Sequence, residues 1–366
     1  MAALNMIGKL QLPSGNIDLP TFLPDGTRGV VRAVDAADLD ACHVQAVQMN
    51  VFHLMQRPGS STIQALGGLH QMAGWPGPIF TDSGGFQIYS LIRQNPRLGR
   101  ISERGAIFKT PDSNRKFKLT PEKSIQLQIA YGADVVICLD DCTHVDDSYD
   151  EQSISVDRTV KWARRSKNEF SHLLKDKQLA GDQRPRLVAV IQGGDSQELR
   201  RRCAEELLEI GFDGYGYGGW PLNSQGELLH DPLAYTRELV PKQFTLHALG
   251  VGHPAYILAC VKIGYELFDS TLPTRDARHG RLYVFNDLPD KRNLSGNEWF
   301  KFIYINDKKY IKRNEPLSPY CDCHGCSNYS LGYLHHLYKI NDHLYARLAT
   351  MHNLRFLTQL MSLLRI

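Results

Sequence analysis

Short apolar runs, each closed by Gly, Asn or an acid, recur along the chain. Eight of them read as strands: Thr21–Asp25, Gln45–Asn50, Ile79–Ser83, Asp134–Asp140, Leu187–Gly193, Tyr215–Gly219, Thr245–Val251 and Tyr265–Asp269. Between several of them the apolar period lengthens to that of a helix. Thr120-Pro121-Glu122 is a helix start, with Thr as N-cap and Pro at the first helical position, and that helix runs toward Gly132. Residues 152–174 make a longer charged amphipathic helix. Asp195 with Glu198 predicts a capping box for a helix through Leu208, which Gly211 ends, and Pro254 opens a helix through Val261. Strand–helix alternation argues for a parallel sheet, and eight strands argue for a (β/α)8 barrel, with an open doubly wound sheet as the alternative.

Other segments depart from the alternation. Residues 8–23 hold two short alternating stretches around Pro13-Ser14-Gly15, read as a hairpin capping something larger. Residues 284–313 carry Lys291-Arg292, Lys308-Lys309-Tyr310 and Lys312-Arg313. That is the composition of a nucleic-acid surface, or of a solvated charged hairpin. From Tyr333 the chain reads as helix to its end, with Leu344, Leu348, Met351 and Phe356 as core positions.

Asn50, Asp82, Asp140, Asp141, Gln192, Gly218, Gly219 and Asp269 all sit where a strand meets its following loop. In a barrel that is the catalytic face. Several acids and amides converging on one mouth are poor stability devices, because a buried unpaired carboxylate is costly. Asp269 ends a buried run and is followed by Pro273, read as a turn, and by Arg275 and Arg278. An acid beside a cationic loop suits a nucleophile next to a polyanion.

Composition changes the picture little. The 366 residues are 42% hydrophobic with a formal net charge of +3, enough for a large core and too near neutrality to diagnose a nucleic-acid binder. No signal-peptide pattern or membrane-length apolar run occurs, so a soluble cytoplasmic protein is expected. Of eight cysteines, Cys321, Cys323 and Cys326 crowd together, which points to a metal. The fourth ligand comes from among His324, His335, His336, His343 and His352. His352 is favoured because a ligand on the packed C-terminal helix would pin that helix to the loop. Four protein ligands leave no open position, so a structural Zn2+ is expected. His53 reads as a core histidine. Cys142, flanked by acids, reads as a neutral thiol in the pocket wall, with Asp141 orienting its neighbours.

Thr81-Asp-Ser-Gly-Gly-Phe-Gln87, Leu139-Asp-Asp-Cys142, Ile191-Gln-Gly-Gly194, Leu249-Gly-Val-Gly252, Phe268-Asp269 with Pro273-Thr-Arg275, and the cysteine cluster with His352 occur in order. Together they resemble the queuine/preQ1 tRNA-guanine transglycosylases, from about residue 8 to the end. The resemblance implies a (β/α)8 TIM barrel with an N-terminal hairpin cap over residues 1–283, and a basic zinc-binding subdomain with C-terminal helices over 284–366. It implies exchange of guanine in a tRNA anticodon loop, at the wobble position, for a 7-deazaguanine base such as preQ1 or queuine, and a homodimer. Asp269 matches the family's nucleophile and Asp82 its general acid/base. A carboxylate can hold C1′ of the ribose between two displacements, so that configuration is retained. Asp140 would accept from a guanine-like edge, and Gln192 and the Gly219 N–H would donate to O6. Gly218 and Gly219 would allow close backbone approach, with Phe86 stacking on one face of the base and Leu249 closing the other. Arg275 and Arg278 match residues that hold the anticodon loop.

One stretch departs from the family. After Gly219 the preQ1-using pattern ends in a glutamate, whereas here Trp220-Pro-Leu-Asn-Ser224 follows, and Glu227 reaches that place only by a two-residue shift. Two other functions compete: a catalytically silent partner subunit, and a DNA-modifying relative that inserts 7-deazaguanines. The presence of both Asp82 and Asp269 argues against the first. The Arg275–Arg278 loop and the metal region favour tRNA over DNA.

Overall fold

Period-2 alternation along eight parallel strands builds the centre of the molecule, which a computed structural model describes for residues 8–111, 115–294 and 298–365. Labelled in chain order, the barrel strands are β1 (Thr21–Pro24), β2 (Val47–Asn50), β3 (Ile79–Asp82), β4 (Val135–Ile137), β5 (Arg186–Ile191), β6 (Gly214–Tyr217), β7 (Thr245–Ala248) and β8 (Leu267–Ser270). All eight expected strands are present. Their order is β1-β8-β7-β6-β5-β4-β3-β2. A parallel bridge between Asp25 and Gln48, with Gly26 N–H donating to the Gln48 carbonyl at 2.6 Å, joins β1 to β2 and closes the barrel.

Strand side chains alternate between two environments. Phe22, Met49, Ile79, Val136, Ala189, Tyr215, Leu246 and Phe268 face outward onto the surrounding helices. Leu23, Ala46, Phe80, Val135, Ile137, Val188, Val190 and Leu267 face inward and pack with Leu10, Leu12, Ile17 and Leu19 of the N-terminal hairpin (Lys9–Leu12 with Gly15–Asp18), which plugs the barrel floor. Asp134 fastens this plug: its buried carboxylate accepts the Ser14 and Ile79 backbone N–H groups, both at 2.7 Å. Two residues further along several inward phases the apolar side chain gives way to a polar one, as in Ala46-Gln48-Asn50, Phe80-Asp82, Val190-Gln192 and Leu267-Asp269. The packed lower half thus holds up a polar mouth.

The helices that matter here are α1 (Gly85–Gln94), α2 (Pro121–Ala130), α3 (Tyr149–Asp176), α4 (Gln197–Ile210), α5 (His230–Leu239), α6 (Pro254–Ile263), α7 (Leu272–Arg278), α8 (His324–Asn328), α9 (Leu331–Lys339) and α10 (His343–Leu364). Thr120 caps α2 as expected, accepting from Lys123 N–H at 3.2 Å. For α4 the expected cap is displaced by one residue: Ser196, not Asp195, accepts the Leu199 N–H, and Glu198 does not complete a box. The capping box falls instead on α3, between Ser148 and Glu151. Pro273, read as a turn, lies in the first turn of α7, where its missing N–H leaves no partner wanting. The C-terminal helix is interrupted after α9: Asn341 adopts φ 56°, and Asp342 caps α10.

Three short antiparallel strands, Gly99–Ser102, Gly105–Lys109 and Lys116–Leu119, form an unexpected sheet beside the mouth, where Phe52, Phe108 and Phe117 stack at 5.0 and 5.5 Å. Beyond the barrel, Arg281–Phe285 pairs with Phe300–Tyr304, and a second core of Leu282, Val284, Ile303, Leu334, Leu348 and their neighbours forms under α9 and α10. The boundary expected at 283/284 falls inside the first of these strands, and residues 1–7, 112–114, 295–297 and 366 of the two expected units lie outside the described residues. In the basic segment, Arg292 pairs with Asp290 at 2.6 Å, Lys309 with Asp307 at 3.1 Å and Arg313 with Glu315, as in a solvated charged hairpin. No helix among the described residues is long and apolar enough to cross a membrane.

Candidate active site

The polar mouth encloses a cavity of about 520 Å³. Asp82, Asp140, Asp269, Phe86, Gly218, Gly219, Leu249 and Arg275 all line it, so most of the site residues singled out in the sequence converge there.

Asp82, at the end of β3, is partly buried and accepts from Gln48 Nε2 at 2.5 Å and Asn50 Nδ2 at 3.3 Å. Burial, and next the charge of Asp269, push its pKa well above the ordinary carboxylate range, against the two amides that favour the ionised form. Asp269, at the end of β8, accepts the Gly250 N–H at 3.0 Å. Two carboxylates therefore share the cavity: Asp82, inclined to keep its proton, and Asp269, with the Gly250 N–H on one oxygen.

Asp140, three residues past the end of β4, is buried and held by Gln192 Nε2 at 2.7 Å and Ser83 Oγ at 3.4 Å. Burial raises its pKa to about 6 despite these donors. Gln192 stands behind the cavity wall rather than in it; its amide nitrogen engages Asp140, and its Oε1 is buried without a partner. Gly218 is required by space, since a Cβ there would lie 2.6 Å from Gln192 Nε2 and 2.7 Å from Val190 Cγ1. Gly219 has φ +87°, which a side chain tolerates poorly. Buried Arg200 accounts for how the peptide between them is aimed. It donates to the carbonyls of Gly218 at 3.2 Å, Ile191 at 3.3 Å and Gly194 at 2.6 Å, with its guanidinium 4.0 Å from the centre of the Tyr217 ring. A trans peptide points its N–H opposite to its C=O. With Gly218 C=O drawn to Arg200, the Gly219 N–H is directed to the cavity side, toward the Cys142 sulfur.

Cys142 is buried in that wall, and burial, then Asp140, keep its thiol protonated. Asp141 turns away to pair with Arg158 and so anchors α3. His53, read as a core residue, also lines the cavity; burial and Arg28 lower its pKa to about 4, so it is neutral there. Phe86 and Trp220, both exposed at the rim, meet edge-to-face at 5.4 Å. Arg278 does not reach the cavity wall. It is half-buried on α7 with Nη1 lacking a partner, while Arg275 stands exposed at the lip.

Gln48, Arg200 and His247 escape the sequence reading. Gln48 and His247 carry a usable signal: each is a polar residue on the inward phase of an apolar strand, in step with Asn50 and with Thr245 and Leu249. Arg200 has none, being one arginine among three consecutive ones in an amphipathic helix.

Away from the mouth, one ligand atom each from Cys321, Cys323, Cys326 and His352 lie within 4.8 Å of one another, so these four can hold a metal ion. His352 Nδ1 approaches Cys326 Sγ at 3.3 Å and Cys323 Sγ at 3.8 Å. Its Nε2 lies 2.7 Å from the Tyr283 carbonyl; donation there leaves Nδ1 as the ligand.

The family model for queuine tRNA-ribosyltransferases matches residues 4–366. The chain belongs to the queuine tRNA-ribosyltransferase family, whose members transfer a pentosyl group. Among proteins of that name, the one from Actinobacillus pleuropneumoniae serotype 3 (strain JL03) is 38% identical over 350 residues, covering 95% of this chain and 85% of that relative. The one from Aliivibrio salmonicida (strain LFI1238) is 37% identical over 358 residues, or 98% of this chain and 88% of the relative. The one from Halothermothrix orenii is 38% identical over 360 residues, or 98% and 89%. A queuine tRNA-ribosyltransferase fold thus runs through the barrel and the metal cluster alike.

Proposed function

We propose that the chain exchanges guanine at the wobble position of a tRNA anticodon for a 7-deazaguanine base, through a covalent bond between Asp269 and the ribose. The observation that carries this is the pair of carboxylates, Asp82 and Asp269, brought into one cavity, with Asp82 held toward its protonated form by burial and then by the charge of Asp269. In the first displacement an Asp269 oxygen forms the bond to C1′ while the C1′–N9 bond breaks, its electron pair leaves with guanine, and Asp82 supplies the proton. In the second, the incoming base gives its proton to Asp82, its N9 bonds to C1′, and the electron pair of the ester bond returns to Asp269. No oxidant, reductant or metal step is needed for the balance.

Recognition is assigned to the same wall. Asp140 accepts from N1–H and N2–H2 and the Gly219 N–H donates to O6, while Gln192, expected to donate to O6 as well, stands behind the wall and holds Asp140. Phe86 and Leu249 enclose the ring faces. Arg275 and Arg278 hold the anticodon loop, and the unpartnered Nη1 of Arg278 suits an anionic acceptor. Zinc fits three thiolates and one imidazole and is assigned a structural role, with Cys321, Cys323, Cys326 and His352 as ligands. The same family reading carries a homodimer, which sedimentation would show as a doubling of the chain's mass.

Release of labelled guanine is the test. We expect release from tRNA, and not from duplex DNA, when a 7-deazaguanine is added. Asp269→Asn should abolish both exchange and the tRNA adduct seen on denaturing gels while leaving the fold intact. Release from DNA alone, or an adduct persisting in Asp269→Asn, would overturn the assignment.

A further inference from the structure

Asp269 has a second neighbour that the chemistry above leaves unused. His247 lies on the inward phase of β7, and its side chain is 2% exposed. Its Nε2 stands 2.9 Å from Asp269 Oδ1, the same oxygen that accepts the Gly250 N–H at 3.0 Å. No described residue donates to Oδ2. The imidazole is fixed from the side by Phe80, whose ring meets it edge-on at 6.4 Å and 86°. At 2.9 Å from a carboxylate oxygen, Nε2 favours the tautomer that carries its proton there. The N–H nevertheless does not point along the line to Oδ1, and Nε2 is without a hydrogen bond. Catalytic hydrogen bonds are often misaligned before substrate arrives and tighten in the loaded state.

We infer that His247 is a positioning residue for Asp269. It and the Gly250 N–H hold Oδ1, so that Oδ2 is the oxygen presented to C1′. If Asp269 is the nucleophile, as proposed above, the bond to C1′ forms from Oδ2, and Oδ1 becomes the carbonyl oxygen of the ester. That oxygen keeps the Gly250 N–H, and the His247 N–H, 2.9 Å away, tightens onto it in the loaded state. When the C1′–Oδ2 bond breaks in the second displacement, its electron pair returns to the carboxylate and spreads onto Oδ1, where both N–H groups stabilise it. His247 itself gives up no proton and touches neither base.

His247→Phe keeps a planar ring and removes the donor, whereas His247→Gln keeps an N–H. A hydrogen bond to a charged group converts to a rate factor of roughly ten to a hundred. We expect His247→Phe to lower kcat, and the single-turnover rate of adduct formation, by about that factor, with KM for tRNA within about twofold. His247→Gln should recover most of the loss. If the Phe variant does not fold, His247→Met, also without a donor, is compared with Gln instead. Unchanged kcat and adduct rate in the donor-less variant would overturn the inference, and so would equal losses in the Gln and donor-less variants, which would mean that ring packing alone matters. Asp269→Asn separates the two claims: an adduct in that variant sinks the nucleophile assignment, whereas none there, with normal rates in His247→Phe, sinks only the role of His247.

Discussion

At the scale of single residues, environment rather than identity sets the acids of the mouth apart. Asp140 shows this with a measurable consequence. Burial lifts its pKa to about 6, so it is largely ionised at neutral pH and loses its charge as the pH falls through that value. The proposed contacts with the donors of a guanine-like edge require the ionised form. KM for the incoming base should therefore be flat above pH 7 and rise about tenfold per unit well below pH 6. Initial rates at several base concentrations between pH 5 and 8 measure it. Asp140→Asn should have a high KM with no such rise, and a profile identical to wild type would remove Asp140 from base recognition. The acids themselves were legible, because a carboxylate closing an apolar strand is conspicuous. Asn50 and Gln192, which partner them, were legible too, but Gln48 and His247 were not: they sit inside strand runs, where a single polar residue is easily taken for a satisfied core group.

At the scale of elements, the segment after β6 bears on the base that the proposed pocket would take. Trp220, Pro221 and Leu222 line the cavity, and a bridge between Leu222 and Leu228 closes a tight turn over Asn223–Glu227. Asn223 organises that turn, accepting the Gln225 and Glu227 N–H groups at 3.0 and 2.9 Å and donating to the Glu227 carboxylate at 2.9 Å. Glu227 is thus exposed and engaged, not aimed at the cavity. Pro221 has no N–H to offer the cavity and holds Trp220 to extended conformations. A protonated aminomethyl group on the base would lack a carboxylate partner here, a deficit of roughly 1.5–3 kcal/mol, or about ten- to a hundredfold in affinity. We expect weak preference for preQ1 against preQ0 and queuine in competition on one tRNA, and little change in Glu227→Gln. Strong preQ1 preference that collapses in Glu227→Gln would show the turn reading to be wrong. The strands were legible as short apolar runs closed by Gly, Asn or an acid, because both faces of a barrel strand are buried. The Gly99–Leu119 sheet was not, since its four- and five-residue strands interleave Lys, Arg and Gly. Pro273 is equally at home in a turn and in the first turn of a helix, and barrel closure rests on the one bridge between Asp25 and Gln48, which no local pattern announces.

At the scale of the whole molecule, the metal cluster and the mouth are mechanically joined through α10. His352 faces the cysteines, and the next residue, Asn353, donates to the Pro273 carbonyl at 3.0 Å and the Arg281 carbonyl at 3.1 Å, and accepts the Tyr283 N–H at 3.0 Å. Pro273 begins the helix that bears Arg275 and Arg278, while Arg347, further back on α10, forks onto buried Asp38 at 2.7 and 2.8 Å. Loss of the metal frees His352 and the cysteine loop, and the nearest structure to lose its anchor is α7. Chelation, or Cys323→Ser, should therefore lower the thermal midpoint and weaken tRNA binding together, because ligand geometry and subdomain folding are coupled. Binding of the free base, which is assigned to the other side of the mouth, should change less than tRNA binding does. Metal content by atomic spectroscopy, thermal unfolding and tRNA titration on the same chelated sample provide the check. Unchanged unfolding after verified metal loss would refute the structural role, and a fall in stability with intact tRNA affinity would break the proposed link through Asn353.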